Sequence, residues 1–136
     1  MKLYILLAYL FLMVPKTSKT IEDFRWEKRL LIMNFEVPVL DSLLENSKEK
    51  IVDRKLLLVE FSKNEFIQTS GTDEIDSDGF LKVLSQPSSK KEWMLIGLDG
   101  GEKASGTFDE FSIEKVFSLI DQMPMRILEK KDLGRY

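Results

Sequence analysis

The sequence predicts an α/β domain built on a four-stranded mixed sheet, with helices on both faces of the sheet. Three observations lead to this fold class. Two mainly apolar runs, Leu30–Phe35 and Leu56–Phe61, flank an amphipathic segment. Asp99-Gly100-Gly101 follows a third apolar run and is typical of a hairpin turn. A second amphipathic segment, which begins at Ile113, completes the pattern.

The first half of the domain has the order of a βαβ unit. Leu30–Phe35 is apolar on both faces, as expected of a strand in a parallel sheet. Pro38 favours a helix start, and apolar residues then recur at helical spacing, so we predict a helix over Val39–Arg54. Leu56–Phe61 is the second strand. The two strands should be parallel and joined by a right-handed crossover.

The middle of the chain holds shorter elements. Segment 62–78 is polar and turn-rich, and we predict no regular structure there. Gly79–Leu84 fits a short helix, and residues 86–91 form a loop. Glu92–Leu98 is the third strand. After the Asp-Gly-Gly turn, Glu102–Gly106 pairs back antiparallel as the fourth strand.

The last helix begins after Ser112, which is a good N-cap residue. Apolar residues recur at i, i+3, i+4 and i+7 from Ile113, and Met123-Pro124 ends the helix because proline restricts the residue before it. The hairpin should add its strands beside the first strand. This order of elements is the core of a thioredoxin-like fold. We assign Trp26, Trp93 and Phe117 to its apolar core, with an aromatic ligand cage as the less favoured alternative.

The composition excludes several kinds of chemistry. The chain has 136 residues without cysteine or histidine, which removes disulfides, thiolate nucleophiles and Ser-His-Asp catalysis. It carries 20 Lys plus Arg against 23 Asp plus Glu, for a net charge of −3, and has no basic stripe. We therefore expect no nucleic-acid partner. We also expect no cofactor.

Residues 1–20 have the layout of a secretory signal peptide. Lys2 is followed by the uncharged run Leu3–Val14, then by Pro15 and a short polar segment. The run is too short for a membrane span, which needs about 20 residues. We predict export to the periplasm or the extracellular space, cleavage before Ile21, and no stable membrane insertion afterwards. An N-terminal core helix or an uncleaved anchor is the alternative.

This prediction divides the chain into a signal peptide (1–20), a thioredoxin-like domain (21–126) and a charged C-terminal tail (127–136). The signal peptide contains three lysines and no acids. Its removal leaves 17 basic and 23 acidic side chains, which is a net charge of −6.

Three motifs resemble a known family. Leu95–Gly101 reads Leu-Ile-Gly-Leu-Asp-Gly-Gly, Asp121–Arg126 reads Asp-Gln-Met-Pro-Met-Arg, and Trp26–Ile32 reads Trp-Glu-Lys-Arg-Leu-Leu-Ile. They are similar to the family catalogued as domain of unknown function 4174, over most of residues 24–126. The resemblance implies an exported thioredoxin-like domain, related to domains of sushi-repeat-containing extracellular proteins, without an established activity. A relation to peroxiredoxins has been suggested for the wider group, but Asn34–Val39, where a thiol enzyme of this fold carries its cysteine, has none.

Glu36, Arg29 and Arg126 are candidate ligand-binding residues. Glu36 follows the first strand, at the edge where α/β folds place ligands, and its carboxylate suits ligand binding or general-base catalysis. An ordinary exposed charge is the favoured alternative. Arg29 and Arg126 lie in the matched motifs and suit bidentate binding of a carboxylate. Pairing with an internal acid such as Asp121 or Asp23 is the favoured alternative for both arginines.

Glu74-Ile75-Asp76-Ser77-Asp78-Gly79 is similar to the first half of a calcium-binding loop, so Glu74, Asp76 and Asp78 are weak candidate metal ligands. The twelfth position of such a loop should be a glutamate, and here it is Ser85. A solvated acidic turn before a short helix is the favoured interpretation.

These observations favour an exported, non-catalytic binding module whose partner is an unidentified protein or a small-molecule ligand. The alternative is an enzyme that uses carboxylates or a metal at a site near Glu36. Thiol oxidoreductase activity is not expected without cysteine.

Overall fold

The computed structural model describes residues 17–85 and 91–134. Residues 1–16, which form most of the predicted signal peptide, lie outside the described residues. Residues 86–90 of the predicted loop and residues 135–136 of the predicted tail also lie outside them. Within the described ranges, no helix has the length and apolar character needed to cross a membrane.

The described residues form a mixed α/β fold of five strands and four helices. The strands are β1 (Arg29–Phe35), β2 (Leu56–Ser62), β3 (Glu65–Thr69), β4 (Trp93–Ile96) and β5 (Glu102–Gly106). The helices are α1 (Leu40–Asp53), α2 (Ser77–Leu84), α3 (Ile113–Asp121) and α4 (Pro124–Asp132). Two short 3-10 turns, Glu22–Phe24 and Phe108–Glu110, complete the list.

The five strands form one open sheet in the order β3-β2-β1-β4-β5. β1 and β2 pair in parallel, from Arg29 beside Leu56 to Phe35 beside Ser62. β4 pairs antiparallel with β1, and β5 pairs antiparallel with β4. The predicted βαβ unit and the predicted hairpin beside the first strand are therefore confirmed.

The fifth strand, β3, corrects the four-strand prediction. β2 and β3 are joined through Lys63 and Asn64, whose φ angles are 50° and 67°. Hairpin turns of this kind usually contain glycine, so the sequence did not signal one here. The side chain of Asn34 stabilises the turn by accepting a hydrogen bond from Asn64 N at 3.0 Å. β3 is also an exposed edge strand, and it lacks the apolar alternation of a half-buried strand.

Apolar side chains cover both faces of the sheet, and the predicted helices on both faces are confirmed. Leu31, Met33 and Phe35 of β1 pack in one cluster with side chains of α1 and α3. Leu30 and Ile32 of β1 point to the opposite face and pack with side chains of α2. This alternation follows from the period of two residues in a strand.

The predicted charged tail begins inside a helix. Pro124 ends the segment that contains α3 and is also the first residue of α4, where its fixed φ angle suits a helix start. Ser112 caps α3 as predicted, since its hydroxyl accepts a hydrogen bond from Lys115 N. Helix α4 runs through residue 132 and carries the buried Arg126. Its position over the start of β1 creates the site described next.

Candidate functional site

Arg29 and Arg126, two of the predicted ligand-binding residues, lie together on the buried side of α4, the helix that contains Arg126. Their exposed fractions are 0% and 1%. Oε2 of Glu129 accepts a hydrogen bond from Nη1 of Arg29 at 3.2 Å and from Nη1 of Arg126 at 3.5 Å. Arg29 Nη1 also donates to the carbonyl of Arg54 at 2.8 Å. The fold thus joins two residues from separate sequence motifs.

Arg126 ties α4 to the end of α1. It donates from Nη2 to Oδ2 of Asp53 at 2.7 Å and from Nη1 to the Asp53 carbonyl at 2.8 Å. Its Nε donates to Oδ1 of Asp121 at 3.4 Å. The same aspartate accepts two more hydrogen bonds from Arg54, from Nε at 3.1 Å and from Nη2 at 2.9 Å, and the Lys130 ammonium lies 3.7 Å from it.

We call this group the arginine cluster. In the described part of the chain it contains four cations and three carboxylates, namely Arg29, Arg54, Arg126, Lys130, Asp53, Asp121 and Glu129. The predicted pairing with Asp121 is confirmed for Arg126. Arg29 pairs instead with Glu129, which the sequence interpretation had placed in the tail.

The cluster holds Asp121 and Arg126 in their charged forms. Burial favours the neutral form of Asp121, but the hydrogen bond and positive charge of Arg54 outweigh it and keep the pKa of Asp121 below its ordinary value. The pKa of Arg126 lies above its usual value. Burial acts to lower this pKa, but the hydrogen bond and negative charge of Asp53 raise it by more. These ion pairs are therefore maintained at neutral pH.

A cleft of about 500 Å³ opens beside the arginine cluster, between the β4–β5 turn and the junction of α3 with α4. We call it the turn cleft. Its walls are mainly apolar and are formed by Trp26, Leu98, Leu119, Met123, Pro124 and Met125. Arg29, Asp99, Lys103 and Gln122 add polar groups. The size and lining are typical of a small-molecule site, which has mostly apolar walls and a few placed polar groups.

Trp26 stands at the rim of the turn cleft and is 58% exposed, so its assignment to the core was wrong. Trp93 and Phe117 are buried as predicted. The backbone explains the difference, because Trp26 has a φ angle of 67° and its N–H donates to the Leu98 carbonyl at 2.7 Å. This arrangement turns the indole outward, where the Arg25 guanidinium lies 5.8 Å from the ring centre.

The guanidinium of Arg29 is only partly satisfied. Its Nε and Nη2 atoms are buried and donate no hydrogen bond to any residue that the structure describes. Nη2 lies 3.2 Å from Oε1 of Glu129, which is an ion-pair distance without hydrogen-bond alignment. Buried donors without acceptors are costly, at about 1–3 kcal/mol each. Arg29 therefore retains binding capacity next to the turn cleft.

Glu36, the third predicted ligand-binding residue, lies at the other end of β1. It is exposed, and its carbonyl accepts a hydrogen bond from the Ser62 hydroxyl at 3.0 Å. A cleft of about 290 Å³ beside it, which we call the acidic cleft, is lined by three carboxylates, from Glu36, Glu92 and Asp109. The structure thus separates Glu36 from the two arginines.

Glu60 is a buried charge near this end of β1 that the sequence interpretation missed. Its Oε2 atom accepts hydrogen bonds from the N–H groups of Val39 and Leu40, at 2.7 and 2.8 Å. These N–H groups lie at the start of α1, where Val39 provides no side-chain cap. Gln68 donates to the other carboxylate oxygen at 3.3 Å. Glu60 is the one charged residue in the apolar run Leu56–Phe61, and that position was the available signal.

The predicted calcium ligands are spread over a bridge and a helix start. The Glu74 carbonyl accepts a hydrogen bond from Lys19 N, and Asp76 N donates to the Lys19 carbonyl, both at 2.9 Å. Asp76 precedes α2, and Asp78 lies in its first turn. Among residues 17–85 and 91–134, no three acidic side chains lie close enough together to hold a metal ion.

Comparisons with known proteins identify a family for this chain. A family model described as a domain of unknown function, DUF4174, matches residues 20–129. The matched range extends through Glu129 and so includes both the turn cleft and most of α4. No curated protein and no solved structure matches the chain.

Proposed function

The chain belongs to the DUF4174 family, and on that premise we propose that it is an exported, non-catalytic binding module that takes a small ligand in the turn cleft. The observation that carries the proposal is the cleft itself, with apolar walls, an exposed tryptophan at its rim and the partly satisfied Arg29 beside it. A cleft with these features suits an apolar ligand with a polar group.

The conformation of Trp26 supports this assignment. A positive φ angle is uncommon outside glycine and is unfavourable for a bulky side chain, and such residues persist where the surrounding structure holds them. Here the hydrogen bond to Leu98 holds the backbone while the indole remains exposed. Strained residues cluster at ligand sites. An exposed aromatic ring beside an apolar cleft provides contact area for a ligand at little entropic cost.

The scaffold supports a role without catalysis. The order β2-β1-β4-β5, with α1 between the two parallel strands, fits a thioredoxin-like scaffold with one extra edge strand. A thiol enzyme of that fold has its cysteine at the start of the helix after the first strand. In this chain, the Glu60 carboxylate binds the N–H groups at the start of α1. The helix N-terminus is therefore used internally.

Export is part of the proposal, and the structure favours a particular position for signal cleavage. Lys19 pairs with Ile75 as an isolated β-bridge, and its ammonium lies 3.5 Å from the Asp73 carboxylate. A cut before Lys19 retains these contacts, whereas a cut before Ile21 removes them. Mass spectrometry of the protein recovered from the periplasm or medium should find an N-terminus at or before Lys19. Full-length protein confined to the cytoplasm would contradict export.

The turn cleft is tested by a fragment screen on isotopically labelled protein, read by amide chemical shifts. Fragments with an apolar body should shift the amides of Leu98, Leu119 and Met125, which line the cleft. Trp26→Ala should weaken binding by about tenfold, since an aromatic contact contributes about 1 kcal/mol or more.

Phe66→Ala is the matched control for this screen, because Phe66 is also a half-exposed aromatic residue but lies on β3, away from the cleft. This control variant should bind as the parent does. Equal weakening by Trp26→Ala and Phe66→Ala would show that the fragments respond to general hydrophobicity. Fragment shifts confined to the acidic cleft would move the site to the Glu36 end of β1.

A further inference from the structure

We propose that the natural ligand of the turn cleft is an apolar monocarboxylate, and that Arg29 binds its carboxylate through the Nε–Nη2 edge of the guanidinium. This inference rests on the proposed function, because it names the ligand class for the same cleft. The observation that carries it is a buried arginine at an apolar cleft, with two nitrogen atoms that donate no hydrogen bond to any described residue.

The donors of Arg29 divide into two groups. Nη1 donates to the Arg54 carbonyl at 2.8 Å and to Oε2 of Glu129 at 3.2 Å, so the end of the guanidinium is engaged by the protein. Nε and Nη2 form its side edge, and they donate no hydrogen bond within the described part of the chain. The side chain is 1% exposed, so bulk water does not satisfy these donors.

The side edge of a guanidinium presents two parallel N–H groups at the spacing of the two oxygens of a carboxylate. Arginine binds carboxylates bidentately through such an edge, and hydrogen bonds between charged partners are about twice as strong as neutral ones. A ligand carboxylate supplies two acceptors at once and satisfies both Nε and Nη2, which donate no hydrogen bond although Nη2 lies 3.2 Å from Oε1 of Glu129. A neutral amide offers one good acceptor and two donors, so it leaves one of these atoms unsatisfied.

The electrostatics around Arg29 favour a negative group. Among the residues that the structure describes, the arginine cluster has four cations and three carboxylates, which leaves one positive charge in excess. Pro124 and Met125, the first two residues of α4, line the same cleft, and within the described residues Met123 provides no side-chain cap. A helix N-terminus carries a partial positive charge that stabilises anions.

Lys103 is the other cation at the cleft, and it is already paired. Its Nζ atom lies 2.9 Å from Oδ2 of Asp99, which lines the same cleft. The hydrogen bond from Lys103 also lowers the pKa of Asp99, so the Asp99 carboxylate is held in its charged form. Arg29 is therefore the group assigned to the ligand carboxylate, and the apolar walls select an apolar body for the rest of the molecule.

The test compares matched pairs of probes that differ only in the carboxylate. Octanoate and phenylacetate are titrated into labelled protein beside octanamide and phenylacetamide, and both the cleft amides and the Nε–H resonance of Arg29 are followed by NMR. We expect the carboxylates to bind about tenfold more tightly than the amides, since bonds to a charged acceptor add about 1.4 kcal/mol or more. Only the carboxylates should shift the Arg29 Nε–H resonance.

Arg29→Lys keeps the positive charge and removes the two-donor edge, so the preference for carboxylate over amide should fall to about twofold or less. Arg54→Lys is the matched control, because Arg54 belongs to the same cluster, donates to Asp121 and is absent from the lining of the cleft. It should retain the preference. If Arg29→Lys does not fold, the Nε–H resonance of the parent protein still decides the question.

The outcomes separate the two proposals. Equal binding of carboxylates and amides in the turn cleft would overturn the carboxylate inference and leave the proposed binding site intact. Failure of all four probes, together with an empty fragment screen, would overturn both. Carboxylate binding with an unshifted Arg29 Nε–H resonance would overturn the assignment to Arg29. A response to inorganic phosphate equal to that of octanoate would show that the site recognises any anion, which also overturns the inference.

Discussion

The two ends of strand β1 use charge in opposite ways. At its start, Arg29 is fully buried and is paired within the arginine cluster. Just after its end, Glu36 is exposed at the acidic cleft, where two more carboxylates lie beside it. One end is a packed junction of oppositely charged side chains, and the other is a surface with charges of one sign.

The difference shows what the fold requires before it buries a charge. The arginines are buried where the end of α1 and Glu129 of α4 provide carboxylates and carbonyl groups that accept their hydrogen bonds. At the other end, the carboxylate that is buried is Glu60, which the start of α1 satisfies with two N–H groups. Glu36 has no such partner among the described residues and stays in water. Buried charges are stable only when paired and hydrogen-bonded.

The largest effect should come from breaking the arginine cluster. Arg126→Met removes a buried cation and leaves the carboxylates of Asp53, Asp121 and Glu129 with one fewer positive partner. Loss of one member of a buried pair costs about 3–5 kcal/mol. We expect a decrease of this size in the free energy of unfolding, measured by urea denaturation.

Arg25→Met is the control for the cluster variant. Arg25 is exposed and forms a surface pair with Glu22 at 2.9 Å, and such pairs contribute about 0–1 kcal/mol. If the two variants lose similar amounts of stability, the ion pairs of the arginine cluster do not hold α4 on the sheet, and the contrast between the ends of β1 fails.

The second effect concerns the buried charge near the acidic end. Glu60→Ala leaves the N–H groups of Val39 and Leu40 without their acceptor, and we expect a loss of about 2–3 kcal/mol. Glu60→Gln keeps one acceptor oxygen and should lose about half as much. Circular dichroism and urea denaturation measure the stability of both variants.

Glu65→Ala, at an exposed position of β3, is the control and should change the stability by less than about 0.5 kcal/mol. A Glu60→Ala loss as small as that of Glu65→Ala would disprove the capping role.

The elements with clear patterns were predictable from the sequence, because apolar periodicity reports burial. Leu30–Phe35 and Leu56–Phe61 fall within β1 and β2, and the Asp-Gly-Gly turn marked the β4–β5 hairpin. β3 was missed because it is exposed and follows a turn without glycine. Such a strand forms because β2 provides its hydrogen-bond partners, and its own sequence carries no burial pattern that would predict a strand.

The site was less predictable than the fold. Arg29 and Arg126 were identified as candidates, but their meeting through Glu129 depends on where α4 packs, and its charged sequence resembles a solvated tail. Trp26 was placed in the core because tryptophan is usually buried. Its exposure depends on one backbone angle and one hydrogen bond, to Leu98, which sequence periodicity does not report.

The third prediction uses acid to weaken the arginine cluster. The folded protein holds the pKa of Asp121 below its ordinary value of 3.8. Burial acts to raise this pKa, but the hydrogen bond and positive charge of Arg54 lower it by more. The stability from Asp121 is therefore fully present above that ordinary pKa and is lost as the pH falls through the lower folded value. Asp121→Asn should lower the free energy of unfolding by about 1 kcal/mol at pH 7, and this difference should shrink from about pH 4 to about pH 2.

Denaturation series across pH measure this prediction, and Arg54→Met provides the reference background. Arg54 makes the strongest favourable contact with Asp121, so Asp121→Asn should have a smaller and less pH-dependent effect in that background. A difference between parent and Asp121→Asn that stays constant down to about pH 2 would show that the carboxylate acts through packing and not through its charge.

The smallest effect belongs to the acidic cleft. Glu36, Glu92 and Asp109 line this cleft, and none of its five lining residues is a cation. Neutralising two of these carboxylates therefore relieves repulsion between like charges. The double variant Glu36→Gln/Asp109→Asn should gain up to about 0.5 kcal/mol of stability at low salt. The gain should disappear at about 1 M salt, because exposed charges are then screened over about 3 Å.

Glu45→Gln, on the exposed side of α1, should leave the stability unchanged at either salt concentration. A loss above about 1 kcal/mol in the double variant would mean that the carboxylates at this end are bound internally as the arginines are, and the two ends of β1 would no longer differ in kind.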